Sequence, residues 1–229
     1  MTFPIEKLVS LETLNKFKTY ESLLRAWNRQ TALVQESTLQ DFYNRHILDS
    51  LQIIPLIESF VSSGTLPTIS AISSMIQPGM RLDSLPETIA GTSIIDVGTG
   101  AGFPGLVLAM CGFMNMTLCE SNHRKCVFLE EVARQTNTNV TIVNKRAEDI
   151  EETFDIILSR ACTSLEDLCF LMKSLSRGAM SLGIFHKGKN WNDEVKSSQK
   201  KWDFKIQVYQ SVTSVDGALL TVKELIKRD

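Results

Sequence analysis

The sequence predicts an α/β protein with a Rossmann-like, mostly parallel sheet of seven strands behind a small N-terminal cap of helices. Three observations predict this fold. From residue 93 onward, short apolar runs alternate with amphipathic helical patterns, the arrangement that builds parallel sheets. The first run leads into a glycine-rich turn, VGTGAGFPG, where a strand passes into a helix. The segment before it instead repeats apolar side chains at helical spacing.

Composition places the chain among ordinary globular proteins. Of its 229 residues, 43% are hydrophobic and 22% are charged, and the net charge is −2 at pH 7. Such a balance gives no general attraction to nucleic acid or membrane, so a site for a polyanion must be a local patch. The amino-terminal residues carry no secretory signal pattern. We therefore expect a cytoplasmic protein that does not bind a membrane.

The cysteines predict neither a disulfide framework nor a zinc site, and we expect no metal. Their number is odd, and none belongs to a C-x-x-C pair. Most lie in apolar runs, as small core residues do in a reducing compartment. They are Cys111, Cys119, Cys126, Cys162 and Cys169.

Three segments follow one another along the chain. Residues 1–58 form the helical cap, in which Arg45 and Asp49 are spaced to pair along one helix face. Residues 59–92 hold three of the six prolines, many serines and threonines and few charges, which indicates an inserted loop or linker. Residues 93–229 form the main α/β domain.

Seven apolar runs of the main domain predict its strands. They cover residues 93–97, 116–119, 140–143, 154–158, 182–185, 204–212 and 219–225. Helices are predicted from Pro104 onward, over residues 122–135 and over residues 165–175. In open α/β sheets ligands bind beyond the carboxyl ends of the strands. The residues that follow each strand are therefore the candidate site residues.

The glycine turn after the first strand is the first candidate. Gly98, Gly100 and Gly102 permit unusual backbone angles and leave no side chain between the backbone and a ligand. Pro104 suits the first turn of the next helix, whose free amides are expected to face an anion or a nucleoside. The spacing is ambiguous. Gly98-x-Gly100-x-Gly102 is typical of S-adenosylmethionine (SAM) enzymes, Gly100-x-Gly102-x-x-Gly105 fits the dinucleotide fingerprint, and a tight turn without a ligand is the third interpretation.

Polar residues at the other strand ends extend this candidate site. Asp96, just before the glycines, can accept amides of the turn or favour a nearby cation. Glu120 ends the second strand, where a carboxylate can bind both hydroxyls of a ribose or can be a solvated turn acid. Glu148 follows the third strand and is placed for an adenine or is a surface acid. Phe103 either packs on the nucleoside or fills the junction between helix and sheet. The same edge holds Ala147, Ser159, Arg160, His186 and Lys187.

Basic residues follow several of these strand ends or begin helices. Together they form a local positive rim, which suits the phosphate backbone of a nucleic acid. Taken singly, such residues are more often solvated surface charges. They are Arg124, Lys125, Lys145, Arg146, Arg160, Lys187 and Lys189.

With these residues assembled, the chain resembles the RsmG (GidB) family of 16S ribosomal RNA guanine-N7 methyltransferases. The resemblance spans most of the chain, and its most specific part is Arg45-His-Ile-Leu-Asp-Ser50, ahead of the glycine turn. The other matching segments are Ile95-Asp-Val-Gly-Thr-Gly-Ala-Gly-Phe-Pro-Gly105, Glu120-Ser with Arg124-Lys125 and Phe128-Leu129, Arg146-Ala-Glu148, Phe154-Asp with Ser159-Arg-Ala161, and Lys187-Gly188. The chain departs from the family in a longer segment 59–92 and in lacking a basic residue at 216–220.

The resemblance implies a class I SAM-dependent methyltransferase that modifies one guanine of small-subunit ribosomal RNA (rRNA). By motif position, the cofactor contacts fall on Gly98, Phe103, Ala147, Glu148 and Arg160, to which the turn and the second strand add Gly100 and Glu120. Either Arg160 or Lys187 is expected to hold guanine O6 and leave N7 free. RNA contacts are expected from His46, Arg124, Lys125, Arg146 and Lys187. The implied substrate is 16S rRNA within the 30S subunit or an assembly intermediate, and the implied state is a monomer.

Two other functions stay open at this point. An NAD(P)-dependent oxidoreductase would use the same turn, but it needs a proton donor such as Tyr or His near the nicotinamide. The sequence offers no convincing one. A non-catalytic RNA-binding protein of the same fold would have a broken cofactor turn, whereas Gly98, Gly100, Gly102 and Glu120 are all present.

Overall fold

The structure, a computed structural model, describes residues 4–67, 72, 76, 79–178 and 180–228. Its strands are β1 Ile94–Val97, β2 Met116–Cys119, β3 Thr141–Val143, β4 Ile156–Arg160, β5 Leu182–Lys187, β6 Trp202–Gln210 and β7 Ala218–Lys227. They form one sheet in the order β3-β2-β1-β4-β5-β7-β6. Strands β1 to β5 run parallel, and β7 is antiparallel to both of its neighbours. The predicted mostly parallel, seven-stranded sheet is confirmed.

Helices cover the sheet and build the cap. They are α1 Leu11–Asn28, α2 Glu36–Leu39, α3 Asp49–Leu51, α4 Ile54–Ser63, α5 Gly105–Met110, α6 His123–Gln135, α7 Leu165–Leu175 and α8 Trp191–Ser198. A π-helical turn, Tyr43–Leu48, leads directly into α3, and 3₁₀ turns occupy Ile5–Lys7, Glu87–Ile89 and Ala147–Asp149. Helix α6 begins after Asn122, whose side chain accepts hydrogen bonds from the amides of the first turn.

Two central strands extend further toward the candidate site than their apolar runs predict. Strand β4 continues to Arg160 and β5 continues to Lys187. The parallel register pairs Ser159 with Phe185 and Arg160 with His186. Hydrogen bonding between neighbouring backbones thus carries polar residues into the sheet, which an apolar pattern alone does not indicate.

Each face of the sheet has its own hydrophobic core. Ile94 and Leu158 contribute to the core shared with the cap, α5 and α6. Ile95 and Ile157 contribute to the core beneath α7 and α8. Because both faces are covered, the central strands are mostly apolar on both faces rather than alternating.

The predicted boundary between the cap and the insertion lies between residues 58 and 59. Helix α4 crosses that boundary and ends at Ser63. The next residue, Gly64, has a φ of +66° and donates its amide to the Phe60 carbonyl, which is the usual glycine end of a helix. The helix thus extends about one and a half turns past the predicted boundary.

The described part of the predicted insertion packs against the cap. The Leu82 amide donates to the Leu8 carbonyl, and Asp83 accepts hydrogen bonds from the Ser10 amide and the Thr13 hydroxyl at the start of α1. The remainder of the insertion, residues 68–71, 73–75, 77 and 78, lies outside the described residues.

Two further findings concern the cysteines and the possibility of a membrane-spanning helix. Of the five cysteines, Cys162 is exposed and the others are buried, so the core assignment is wrong for Cys162. Among the described residues, every helix is too short or too polar to span a membrane.

Candidate functional site

The glycine turn forms one wall of a cavity at the carboxyl edge of the sheet. Gly98 and Gly100 have φ values of +64° and +60°, a region that side chains other than glycine rarely adopt. A β-carbon on Gly98 would collide with the Cys162 thiol. The turn therefore needs glycine at this position for two independent reasons, its backbone angle and its close neighbour.

Asp96 holds the turn against the first strand. Its Oδ2 accepts the Thr99 hydroxyl at 2.6 Å and the Gly105 amide at 2.9 Å. The expectation that the amides at the start of this helix are free is thus wrong for Gly105. Burial raises the pKa of Asp96 to about 6, although these hydrogen bonds oppose the rise. Its Oδ1 has no hydrogen-bond partner among the described residues.

Glu120, after β2, closes the turn from the other side. Its Oε2 accepts the Gly100 amide at 3.1 Å, and its Oε1 accepts the Asn122 amide at 2.8 Å. A carboxylate oxygen has a second lone pair, so each remains able to accept from a ligand. Glu120 is thus held in place by the two loops that flank the cavity.

The cavity beside this turn, here called the cofactor cavity, has a volume of about 400 Å³. Its walls come from the ends of β1 to β4 and from α7. The predicted cofactor residues in its lining are Gly98, Glu120, Ala147 and Glu148, and Cys162, Thr163 and Phe170 face them. Ala147 is buried, whereas the Glu148 side chain is 57% exposed and lies 3.5 Å from Arg146.

Phe103 lies behind the turn, in its junction with the cap. Its ring stacks on Tyr20 with a centroid distance of 5.1 Å and on His46 at 4.6 Å. The Arg160 guanidinium lies 4.8 Å from the Phe103 ring centroid, a distance at which cation and ring attract. Tyr20 donates its hydroxyl to the Ala101 carbonyl. Phe103 thus connects the glycine turn to the cap, and its ring is 2% exposed.

Arg160, at the end of β4, joins the sheet to the cap. It donates to the Asp49 carboxylate at 3.1 Å and to the Arg45 carbonyl at 3.0 Å, and it contacts Nδ1 of His46 at 3.1 Å. The predicted pair between Arg45 and Asp49 is therefore wrong, because Asp49 pairs with Arg160. The intervening π-helical turn shifts the alignment that the i, i+4 argument assumes.

His46 is a buried, neutral histidine in this arrangement. Its Nε2 lies 2.9 Å from the Thr38 hydroxyl. Burial first, and the neighbouring Arg160 second, lower the pKa of His46 to about 3. Because Arg160 can only donate, Nδ1 of His46 is the acceptor in their contact.

Lys187 is also buried by its contacts. Its ammonium donates to the Thr163 carbonyl at 2.6 Å and to Glu194 at 2.8 Å, and its side chain is 8% exposed. These contacts connect β5 to the loop after β4 and to α8. Lys187 is therefore held at the edge of the site by partners of its own.

A second cavity, here called the cap–sheet cavity, lies between the cap and the ends of β4 and β5. Its volume is about 290 Å³. Polar side chains of the cap, of the ends of β4 and β5, and of residues 211–217, the hairpin between β6 and β7, line much of it. They include Thr38, Arg45, His46, Asp49, Arg160, His186, Ser211, Thr213 and Ser214. Ala161, whose φ is +52°, separates this cavity from the cofactor cavity, which begins at Cys162.

The structure separates the other predicted basic residues into two groups. Lys145 and Arg146 line the cofactor cavity, and Arg124 and Lys125 lie in the first turn of α6, after the Glu120 loop. Arg124 and Arg146 are exposed, and Lys125 is half-buried.

Three residues of the site were missed by sequence reasoning: Tyr20, Thr213 and, as a partner of Arg160, Asp49. Their contacts join positions more than 80 residues apart, which no local pattern indicates.

Comparison with known proteins shows the family of the chain. The family described as GidB, rRNA small subunit methyltransferase G, matches residues 13–69 and 80–223. The match is interrupted over residues 70–79, inside the predicted insertion. The ribosomal RNA small subunit methyltransferase G of Rickettsia bellii is 32% identical over 94% of this chain and 96% of its own length. Its namesake in Rickettsia rickettsii is 31% identical over 96% and 98%.

Solved structures share the fold at low sequence identity. Magnesium protoporphyrin IX methyltransferase from Synechocystis, solved with bound SAM, has a TM-score of 0.52 and 10% identity over 89% of this chain and 97% of its own. A ribosomal protein L11 methylase from Lactobacillus delbrueckii has a TM-score of 0.50 and 15% identity over 58% and 69%. The predicted class of fold is therefore confirmed.

Proposed function

The chain belongs to the family of rRNA small subunit methyltransferase G, and we propose on that premise that it methylates N7 of one guanine in 16S rRNA. The observation that carries the proposal is the pair of adjoining cavities. In the segment after β4, the lining of the cap–sheet cavity ends at Ala161 and that of the cofactor cavity begins at Cys162, so the two cavities adjoin at the end of β4. We propose that a methyl donor in the cofactor cavity reaches an acceptor in the cap–sheet cavity there.

SAM is the methyl donor of this family, and the residues around the cofactor cavity fit it. Gly98 lines the cavity without a side chain, and Glu120 offers carboxylate oxygens to ribose hydroxyls. Ala147 and Glu148 lie on the side expected for the adenine. When bound, SAM supplies an electrophilic methyl group on a positively charged sulfur.

The acceptor chemistry needs little from acid or base groups. Guanine N7 carries a lone pair and no proton, so the nitrogen–carbon bond forms as the carbon–sulfur bond breaks, and its electrons stay on sulfur. The chain contributes mainly by holding the reacting atoms in line and excluding water. Two adjoining cavities whose wall residues are hydrogen-bonded to one another suit that task.

Arg160 is the residue best placed to orient the base. Its three hydrogen bonds use three of the five N–H donors of a guanidinium. The two that remain have no acceptor among the described residues, and they can donate to guanine O6 while N7 stays free. Lys187 shares the lining of the same cavity, and we retain it as a weaker candidate because Thr163 and Glu194 already accept from its ammonium.

The RNA strand is proposed to cross the rim of the cofactor cavity. Arg124 and Arg146 are exposed there, and Lys125 begins the same helix as Arg124. His46 is buried and lines the cap–sheet cavity, so we propose that it contributes to RNA binding by forming part of the cavity wall. The target guanine must be unpaired or turned out of its helix to enter. We propose that a monomer acts in the cytoplasm on 30S subunits or their precursors.

Methylation of isolated 30S subunits with labelled SAM tests the proposal. Borohydride reduction and aniline cleavage then cut rRNA at N7-methylguanine. We expect one new cut in 16S rRNA with the wild type and none with Arg160→Ala, while Arg177→Ala, which removes an exposed ion pair with Asp155, cuts as the wild type does. Absence of the cut with the wild type would refute the assignment.

Calorimetry separates this proposal from the oxidoreductase alternative. SAM is expected to bind, and NAD is expected not to bind. Binding of NAD without SAM would place the chain with the dehydrogenases.

A further inference from the structure

We infer that Asp49 is a positioning residue for the cap–sheet cavity: it orients Arg160 and fixes the hairpin, residues 211–217, that forms another wall. The inference rests on the proposed function, because it concerns how that same site is held. Asp49 does not need to touch the substrate, since it acts through Arg160 and Thr213.

Four parts of the chain converge on this one residue. Its Oδ2 accepts from Arg160 at 3.1 Å, and its Oδ1 accepts the Thr213 hydroxyl at 2.5 Å and Nε2 of Gln52 at 2.8 Å. Its backbone carbonyl accepts from Nε2 of His186 at 2.9 Å. The cap, β4, β5 and the hairpin thus share a single anchor at the wall of the cavity.

The carboxylate remains charged in this environment. Burial alone would raise the pKa of Asp49, but His186, Arg160 and the hydrogen bond from Thr213 outweigh it, and the pKa lies below its ordinary value. An acid of lowered pKa whose oxygens are already hydrogen-bonded is unsuited to carry protons at neutral pH. N7 methylation requires no proton transfer, so this chemistry agrees with a positioning role.

The charge of Asp49 also balances that of Arg160 where positive charge develops. Methylation of N7 leaves the base with a positive charge, which an unpaired guanidinium nearby would oppose. With the Asp49 carboxylate 3.1 Å from Arg160, the pair is neutral overall. Arg160 can then offer its remaining N–H donors to the base without adding a net positive charge to the wall.

The hairpin depends on Asp49 for its position. Oε1 of Gln52 accepts the Val212 amide at 2.9 Å, while its Nε2 donates to Asp49. Thr213 reaches the same carboxylate directly. Ser211, Thr213 and Ser214 line the cavity, so loosening this contact changes the shape of the wall that faces the acceptor.

Asp49→Asn tests the inference, with Asp83→Asn as the matched control. Asparagine keeps the shape but points an amide donor at Arg160 or Thr213. We expect kcat for methylation of 30S subunits to fall by about 10- to 100-fold, the loss that a small misplacement of reacting groups causes. The Kd for SAM is expected to stay within twofold, because Asp49 does not line the cofactor cavity. Asp83 also anchors the cap through a buried carboxylate but lines neither cavity, so Asp83→Asn is expected to leave kcat within twofold.

Hydrogen exchange of residues 211–217 gives a second readout that does not depend on the proposed function. Asp49→Asn is expected to speed their amide exchange by about tenfold or more, and Asp83→Asn is not. A folded Asp49→Asn protein with unchanged kcat, or with equal losses in kcat and SAM affinity, would overturn the inference. If Asp49→Asn fails to fold, Thr213→Val keeps the Asp49–Arg160 pair and decides the matter: unchanged kcat and exchange would overturn the inference. A wild type that does not methylate 30S subunits would instead refute the proposed function.

Discussion

Arg160→Met removes the positive charge from the buried end of β4 and keeps an apolar side chain of similar reach. The variant leaves the Asp49 carboxylate without its cation and the Arg45 carbonyl without its donor. Breaking a buried ion pair by removing one partner costs about 3–5 kcal/mol. The two side chains are 17% and 15% exposed, so solvent moderates the loss. We expect the free energy of unfolding to fall by about 2–4 kcal/mol at pH 7.5.

This loss should shrink as the pH falls. The pKa of Asp49 is lowered in the folded wild type, so its contribution to stability is present above the unfolded pKa of about 3.9 and is lost at lower pH. Without Arg160 the folded pKa of Asp49 rises, and protonation relieves the uncompensated charge at a higher pH than in the wild type. The pKa of His46, held at about 3 by burial and then by Arg160, also rises in the variant and acts in the same direction.

Urea denaturation followed by tryptophan fluorescence measures the effect at pH 7.5 and pH 5.0. The deficit of Arg160→Met is expected to be at least about 1 kcal/mol smaller at pH 5.0. Arg177→Met is the control, because it removes an ion pair with Asp155 whose side chains are 55% and 32% exposed. Such a pair contributes about 0–1 kcal/mol. A deficit for Arg160→Met below about 1 kcal/mol, or an equal deficit at both pH values, would refute the reasoning.

Three further predictions concern the glycine turn, His46 and Cys162. Gly98→Ala puts a β-carbon against Cys162 at a left-handed φ, so SAM affinity measured by calorimetry is expected to fall at least about tenfold. The control Gly91→Ala places its β-carbon in open space and should bind SAM as the wild type does, and equal affinities of the two variants would contradict a cofactor-binding turn. The pKa of His46 is about 3 in the folded protein, so only the unfolded chain protonates this residue as the pH falls below about 6.5, and the folded state loses stability. His46→Gln should therefore reduce the difference in unfolding free energy between pH 7.5 and pH 5 by up to about 2 kcal/mol, and an unchanged difference would exclude His46 as the cause. Cys162 is the exposed cysteine, so a maleimide should modify it first and SAM should slow the modification; peptide mapping that finds no protection would place the cofactor elsewhere.

The sequence predicted the sheet well because both faces of its central strands are buried. Residues 116–119 are apolar apart from Thr117, and the structure forms β2 over the same residues. The apolar runs end before β4 and β5 do because Arg160 and His186 are polar. These residues continue the strands by pairing with each other, and His186 also pairs with Leu219 of β7. Local patterns therefore predicted the sheet but stopped just short of the residues that line the site.

The interior of the candidate site depends on contacts that local patterns do not encode. Glu120 and the glycines lie beside the cofactor cavity because parallel strands end at a common edge, which topology alone predicts. Lys187 ends a strand at the same edge, yet its ammonium is buried against Glu194 of a helix that the sequence did not predict. The position of a strand predicts which residues reach the edge of the sheet. Contacts with later helices determine which of those charged side chains remain free to bind a ligand.

The contacts between the cap and the sheet show why residue spacing did not predict the partner of Asp49. In a regular α-helix, residues four apart lie on one face, and Arg45 would then meet Asp49. The turn Tyr43–Leu48 is π-helical, which changes that alignment. Asp49 pairs instead with Arg160, 111 residues later, and accepts from Thr213 beyond it. The cap is therefore part of the cap–sheet cavity, because the residue that holds Arg160 in place belongs to the cap.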